Sequence, residues 1–200
     1  MKLLVTGAAG YLGSTLVPEL LRAAHRVTAI DSLKAAALLF VAAIFQVSIF
    51  AQVHVLGGVP DLLLVTLVAV ALLRGTIVGA AGGFFAGLLV DTATLGQLGL
   101  TSLVLTLAGY WIGRYGETTG RDRAHAPFLS VAVITILYSF GLLLVHFVLG
   151  ERAPAGALLR GLVPAIVLNL LLTAPVYALV RRVLRPVERA DLATEVQLLG

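Results

Sequence analysis

The sequence predicts an all-α polytopic membrane protein, about six transmembrane helices in one bundle, preceded by a short βαβ segment. Three observations carry this prediction. First, Ala35–Pro60 contains no Asp, Glu, Lys or Arg, and neither do Thr92–Gly113, Ala124–Gly150 or Gly161–Val180. A helix needs about 20 apolar residues to cross a hydrocarbon core of roughly 30 Å, and four uncharged stretches of this size exceed what one small soluble domain can bury. Second, 60% of the 200 residues are hydrophobic and 12% charged, where soluble domains carry about 25% charged residues. Third, the few cations are distributed by side, as membrane topology requires. The absence of cysteine excludes disulfides, thiolate metal sites and cysteine nucleophiles. The net charge of +4 follows the membrane pattern and is not assigned to nucleic acid.

Taken in order, residues 1–33 form a separate unit. Lys2–Thr6 reads as a buried strand, Gly7-Ala8-Ala9-Gly10-Tyr11-Leu12-Gly13 as a turn, the stretch to Ala24 as a helix, and Val27–Ile30 as a second strand ending at Asp31. Glycines at this spacing let the backbone approach a pyrophosphate seated on the helix N-terminus, and an acid about 20 residues on takes the ribose hydroxyls. The segment resembles the opening of the NAD-dependent epimerase/dehydratase family, the extended short-chain dehydrogenases. That resemblance implies a Rossmann-like βαβ fragment with Gly7, Gly10 and Gly13 on the pyrophosphate of NAD and Asp31 on its adenosine ribose. The family's Tyr-x-x-x-Lys catalytic pair is missing: the only lysines are Lys2 and Lys34, and neither lies four residues after a tyrosine. Two strands and one helix also cannot cover both faces of a parallel sheet. The fragment therefore reads as vestigial, a relic, a fused segment or a mis-assigned start, and no working cofactor is expected.

Six apolar segments follow: Ala35–Leu56, Val59–Leu73, Thr76–Val90, Leu98–Ile112, Pro127–Leu149 and Ala157–Val180. Fifteen residues rise only about 22 Å, so the second and third are either thin or tilted spans or a re-entrant hairpin. With the N-terminus inside, the cytoplasmic side holds Lys2, Arg22, Arg26, Lys34, Arg74, Arg114, Arg121, Arg123, Arg181, Arg182, Arg185 and Arg189, and the outer side only Arg152 and Arg160. By the positive-inside rule both termini are cytoplasmic. Residues 34–185 make the membrane domain and 186–200 a cytoplasmic tail, and the stretch from Arg181 to Gly200, basic and then mixed, reads as a surface helix near anionic lipid.

The polar and small residues within the spans are the candidate functional positions. Gly75, Gly79, Gly83 and Gly87 recur every four residues, Asp91 continues the series, and Gly109 and Gly113 repeat the spacing. Such a face allows close backbone approach, either within the bundle or against another membrane protein. Asp61 and Asp91 fall at the outer ends of the second and third segments, as a proton or cation site or as end caps. Arg74, at the inner turn, reads as a positive-inside anchor. Asn169 and Thr173 lie one turn apart near Pro164 and Pro175, placed to satisfy carbonyls freed by proline or to bond across helices. Tyr110, Trp111 and Tyr115 suit an interfacial belt, and His54, His125 and His146 show no metal spacing. No nucleophile with its base and no phosphate loop stands among the spans, so the membrane domain is expected to be non-catalytic.

A series of motifs then identifies a second family. Pro60-Asp61-Leu62-Leu63-Leu64 opens a span that Leu73-Arg74-Gly75 closes. Gly79-x-x-Gly82-Gly83-Phe84-x-x-Gly87-Leu88-Leu89-x-Asp91 follows, then Leu98-Gly99-Leu100 and Gly109-Tyr110-x-x-Gly113-Arg114, with Gln46 before and Asn169 after. Residues 34–185 resemble the rod shape-determining MreD family. The resemblance implies a bacterial inner-membrane subunit of the cell-elongation machinery, a partner of MreC, MreB and a wall glycosyltransferase and transpeptidase in peptidoglycan synthesis. It also implies a fold similar to the substrate-binding subunits of energy-coupling-factor transporters. That similarity, with Asp61, Asp91 and Asn169, keeps a small-solute transporter subunit as the alternative, and the N-terminal glycines keep a membrane-anchored NAD-dependent enzyme as a third.

Overall fold

The structure is a computed structural model that describes residues 2–6, 26–30, 32–53, 55, 57–94, 98–119, 125–148, 150 and 155–184. Its first element is a two-stranded parallel sheet, β1 (Lys2–Thr6) beside β2 (Arg26–Ile30), with Lys2 opposite Arg26 and Thr6 opposite Ile30. The glycine turn with Gly7, Gly10 and Gly13, the expected intervening helix and Asp31 lie outside the described residues, as does the tail 186–200.

Six α-helices follow among the described residues: α1 (Ser32–Ser48), α2 (Leu62–Arg74), α3 (Thr76–Ala93), α4 (Leu100–Thr119), α5 (Ala126–Val148) and α6 (Ala155–Val183). Four described stretches are long and apolar enough to cross a membrane: Leu33–Gln52, Thr76–Ala93, Ala126–Leu144 and Arg160–Val183. Two boundaries differ most from the sequence expectation, the others by three residues or fewer. The first helix ends at Ser48, not Leu56, because a 3-10 turn at Phe50–Gln52 and a bridge between Val55 and Gly58 fold the chain back. The fourth continues past Ile112 to Thr119, carrying Arg114 and Glu117 into its last turns.

The core sits around α2. Every residue from Leu63 to Leu72 is buried, and α1, α3, α4, α5 and α6 all pack against this one helix. A helix apolar on all sides must be enclosed by protein or lipid, and here the enclosure is protein. The second segment is therefore the axis of the bundle. The outer helices turn their large apolar side chains outward, among them Phe40, Phe85, Trp111, Phe140 and Phe147, where a bilayer covers them. A single residue, Gly75 (φ +89°), joins α2 to α3. It ends one helix and begins the next, a backbone state that L side chains adopt only with strain.

The closest helix pair is α3 with α4. A methyl group built on Gly83 would lie 2.6 Å from the Leu105 carbonyl carbon, one on Gly87 would lie 2.6 Å from Ser102 N, and one on Gly113 would lie 2.5 Å from the Thr76 Cα. Gly79 and Gly109 meet each other's backbone carbonyls in the same way. Ser102 Oγ crosses this seam to donate to the Phe84 carbonyl at 2.9 Å. The glycine face is filled by the chain's own backbone.

Candidate functional site

Gln46, Asp61, Asp91, Glu117 and Asn169 all bond to backbone groups at helix ends. At α2 the reason lies in its length. Thirteen residues rise about 20 Å, some 10 Å less than a hydrocarbon core of about 30 Å. Its terminal N–H and C=O groups therefore cannot all reach the aqueous interface, and backbone groups at that depth must be satisfied by protein.

At the N-terminus of α2, three side chains do this. Asp61 is the N-cap, its carboxylate accepting from Leu64 N at 2.8 Å and facing the Leu63 N–H as well. Asn169 of α6 accepts from Asp61 N at 2.7 Å. Gln46 of α1 accepts from Leu62 N at 2.7 Å and donates to the Pro60 carbonyl at 3.2 Å. Asn169 Nδ2 in turn donates to Thr135 Oγ1 at 3.1 Å, and Thr135 donates to the Val131 carbonyl at 2.8 Å. One network, part-buried at Gln46 and Asp61 and fully buried from Asn169 to Thr135, thus ties α1, α2, α5 and α6. Thr173 donates to the Asn169 carbonyl at 2.7 Å, not to the carbonyls one turn before Pro164 and Pro175.

At the other end of α2, Gly75 N donates to the Ala71 carbonyl at 2.8 Å, and Arg74 Nη2 donates to the Leu184 carbonyl at 3.3 Å. Arg74 is half-buried and closes the last turn of α6, where a cation also opposes the negative end of the helix dipole.

Asp91 lies in the last turn of α3 and is buried. It accepts from Gly99 N at 2.8 Å, Thr101 N at 3.2 Å and Ser102 N at 3.3 Å, the first turn of α4. Glu117 performs the converse task, accepting from Thr76 N at 2.7 Å and Thr76 Oγ1 at 2.8 Å at the start of α3. Each helix of the pair thus caps the other. The pattern at both aspartates is that of an N-cap, a carboxylate on the orphan N–H groups of a first turn.

The structure therefore brings Gln46, Asp61 and Asn169 together at one end of α2. It sets Asp91 on α4 and Arg74 on α6, and it places Gly75, Gly79, Gly83, Gly87, Gly109 and Gly113 in helix-to-helix packing. Glu117, Thr135 and Ser102 were not singled out by the sequence. Glu117 and Thr76 are 41 residues apart, and no local pattern links them. Every buried side-chain nitrogen or oxygen among the described residues has a hydrogen-bond partner. Among those residues no three His, Asp or Glu side chains assemble as a metal-binding group.

Comparison with known proteins returns two family matches. Residues 3–56 match the NAD dependent epimerase/dehydratase family, a span that includes β1 and β2 and overlaps α1, which packs into the bundle on α2 and α3. Residues 30–187 match rod shape-determining protein MreD. No curated protein and no solved structure matches. The second family match covers all six helices and over three-quarters of the chain, and the chain accordingly belongs to the rod shape-determining protein MreD family.

Proposed function

We propose that this chain is a non-catalytic scaffold of the bacterial cell-elongation machinery. It resides in the plasma membrane with both termini cytoplasmic, and it holds MreC, MreB and a wall glycosyltransferase and transpeptidase in register for side-wall synthesis. The observation that carries this reading is the use made of the polar side chains. Gln46, Asp61, Asp91 and Asn169 bond to helix termini or to one another, so the groups that a catalyst or a solute carrier would aim at a substrate instead fix the bundle's shape. A rigid body whose outer surface is apolar suits lateral association in a bilayer. The cations support the orientation: Lys34, Arg74, Arg114, Arg181 and Arg182 fall at the end of the bundle where α1 and α3 begin, and among the cations on the described helices only Arg160 lies toward the other. In this reading residues 1–33 are dispensable and no cofactor is needed.

The test is complementation in a rod-shaped relative depleted of its own MreD, comparing the full chain with one that starts at Met placed before Lys34, with membrane insertion verified for both. Restored cell width with the short form supports the scaffold and dispenses with the strand pair. Rescue by the full chain alone would give residues 1–33 a function. A complex purified from native membranes in mild detergent that lacks MreC and the wall synthases would overturn the scaffold reading.

A further inference from the structure

We propose that the bilayer is depressed beside the end of α1 and the start of α2, where water and lipid headgroups descend about 10 Å below the hydrocarbon edge that α6 sets. Helix α6 supplies the measure. Arg160 and Arg181 are both exposed and stand 21 residues apart, so about 31 Å of helix separates them, the thickness of a hydrocarbon core. Asn169 lies nine residues inside Arg160, about 13 Å along the helix, and its side-chain oxygen meets Asp61 N. The start of α2 is sunk by that amount. Helix α1 stops near the same level, because Gln46 bonds to Leu62 N and to the Pro60 carbonyl. Twelve residues run from Lys34 to Gln46 and twelve from Asn169 to Arg181. The two cations are therefore level at the opposite edge, where Ala35 and Leu39 share a core with Val180 and Leu184.

Between these sunken helix ends and the level of Arg160 the chain is not α-helical. The 3-10 turn Phe50–Gln52 and the bridge from Val55 to Gly58 occupy this layer, beside the first described turns of α6. A methyl group on Gly161 would lie 2.5 Å from the Gly57 carbonyl oxygen, and one on Gly58 would lie 2.6 Å from Ala165 N. Ser48, Ile49, Gln52, Val53 and Gly57 are exposed in this layer, whereas Gly58 and Pro60 are buried beneath it and close off the first turn of α2. Lipid tails offer irregular backbone no hydrogen bonds, so at hydrocarbon depth such backbone lies inside protein or against water. This segment is exposed, which leaves water. A bilayer thins locally to meet an apolar surface shorter than its core, and here that surface ends with α1. On the other side of the bundle the apolar surface continues upward: Val163 and Val167 of α6 and Leu144 of α5, nine residues beyond Thr135, are at least half exposed. The depression is one-sided. It depends on the chain lying in a membrane, but not on which leaflet is involved, nor on the scaffold reading.

The chain has no cysteine, so single cysteines carrying a nitroxide label report depth directly. The full chain would be reconstituted in dioleoylphosphatidylcholine liposomes, and each label's collisions with oxygen compared with its collisions with a water-soluble nickel chelate. The deciding pair is Ile49→Cys and Val167→Cys, both at positions 50% exposed. Ile49 is three residues past Gln46 and Val167 two before Asn169, so within the protein the two are nearly level. The Val167 label is expected about 10 Å inside the hydrocarbon, and the Ile49 label at the headgroups. Phe45→Cys and Leu171→Cys, one turn deeper on the same two sides, should differ in the same direction by a similar amount. Thermal unfolding in detergent checks each labelled chain against its parent, and the second pair decides if a label unfolds a member of the first. Equal depths within the hydrocarbon overturn the depression. Both labels at the headgroups would show a bundle thin on every side and equally overturn the proposal. None of these outcomes bears on the complementation test.

Discussion

The α3–α4 pair and the central helix α2 solve the same problem, closing helix ends inside a membrane, by opposite means. The two long helices exchange caps: Asp91 of α3 closes α4, and Glu117 of α4 closes α3. Between those ends the glycines bring the two backbones into contact, so the pair is nearly self-sufficient. Helix α2 closes only one turn with its own side chain, Asp61. Its other N-terminal donors depend on Gln46 of α1 and Asn169 of α6. A helix too short to reach water must borrow polar groups from its neighbours, and those neighbours are thereby fixed around it. The polar residues that look like a site in the sequence are the consequence of one short helix and one close pair.

This comparison can be broken at the seam. Gly83→Leu places a branched side chain against the Leu105 backbone, which cannot give way as a side chain would. Overpacking typically costs about 1–3 kcal/mol and more where backbone must move. The variant is expected to lose the folded bundle, read as loss of a cooperative thermal transition in detergent. Gly99→Ala would meet no neighbour but must adopt a positive φ of 94°, and a smaller loss, about 1 kcal/mol, is expected from that strain.

At α2 the expected losses are intermediate. Asn169→Leu keeps the volume but leaves Asp61 N and the Thr135 hydroxyl without this partner. An unmet buried hydrogen bond costs about 1–3 kcal/mol. Gln46→Leu should cost a similar amount, and the two losses should not add in a double-mutant cycle, because both residues hold the same first turn. Unfolding temperatures of the two single variants and the double variant check this coupling.

The smallest effects belong to the exchanged caps. Asp91→Asn keeps an acceptor for α4, whereas Asp91→Ala removes it at about 0.5–2 kcal/mol. Glu117 is exposed, so Glu117→Gln should cost less than Asp91→Ala. Thr76 and Asp91, fifteen residues apart on α3, are about 22 Å apart along the helix. Losses at the two caps should therefore add within about 0.5 kcal/mol. Strong non-additivity would show that α3 and α4 open as one unit.

Much of this architecture was legible in the sequence. Uncharged stretches gave the existence of the spans, and the spacing of Gly79, Gly83 and Gly87 gave a close helix contact. The position of α2 was not legible, because a helix apolar on every face looks the same whether lipid or protein surrounds it. Asp61 and Asp91 were visible as candidates, but their acceptors' partners were not. Asp91 reaches N–H groups eight to eleven residues ahead through a turn, and Asn169 reaches Asp61 across 108 residues. Hydrogen bonds of that range leave no periodic trace. Glu117 was hidden for a further reason: the apolar pattern stops at Ile112, whereas the helix continues to Thr119 and Glu117 bonds to Thr76 from its end.

Helix α6 touches both ends of α2, through Asn169 at one and the Leu184 carbonyl at the other. Ribosomes build a chain from its N-terminus, so α2 enters the membrane well before the residues that latch it exist. Until α6 emerges, Gln46 and Asp61 already hold the first turn of α2, but Asp61 N lacks its Asn169 partner and Arg74 its carbonyl. Of the six described helices α6 is made last, and with it come the Asn169 oxygen that Asp61 N meets and the Leu184 carbonyl that Arg74 holds.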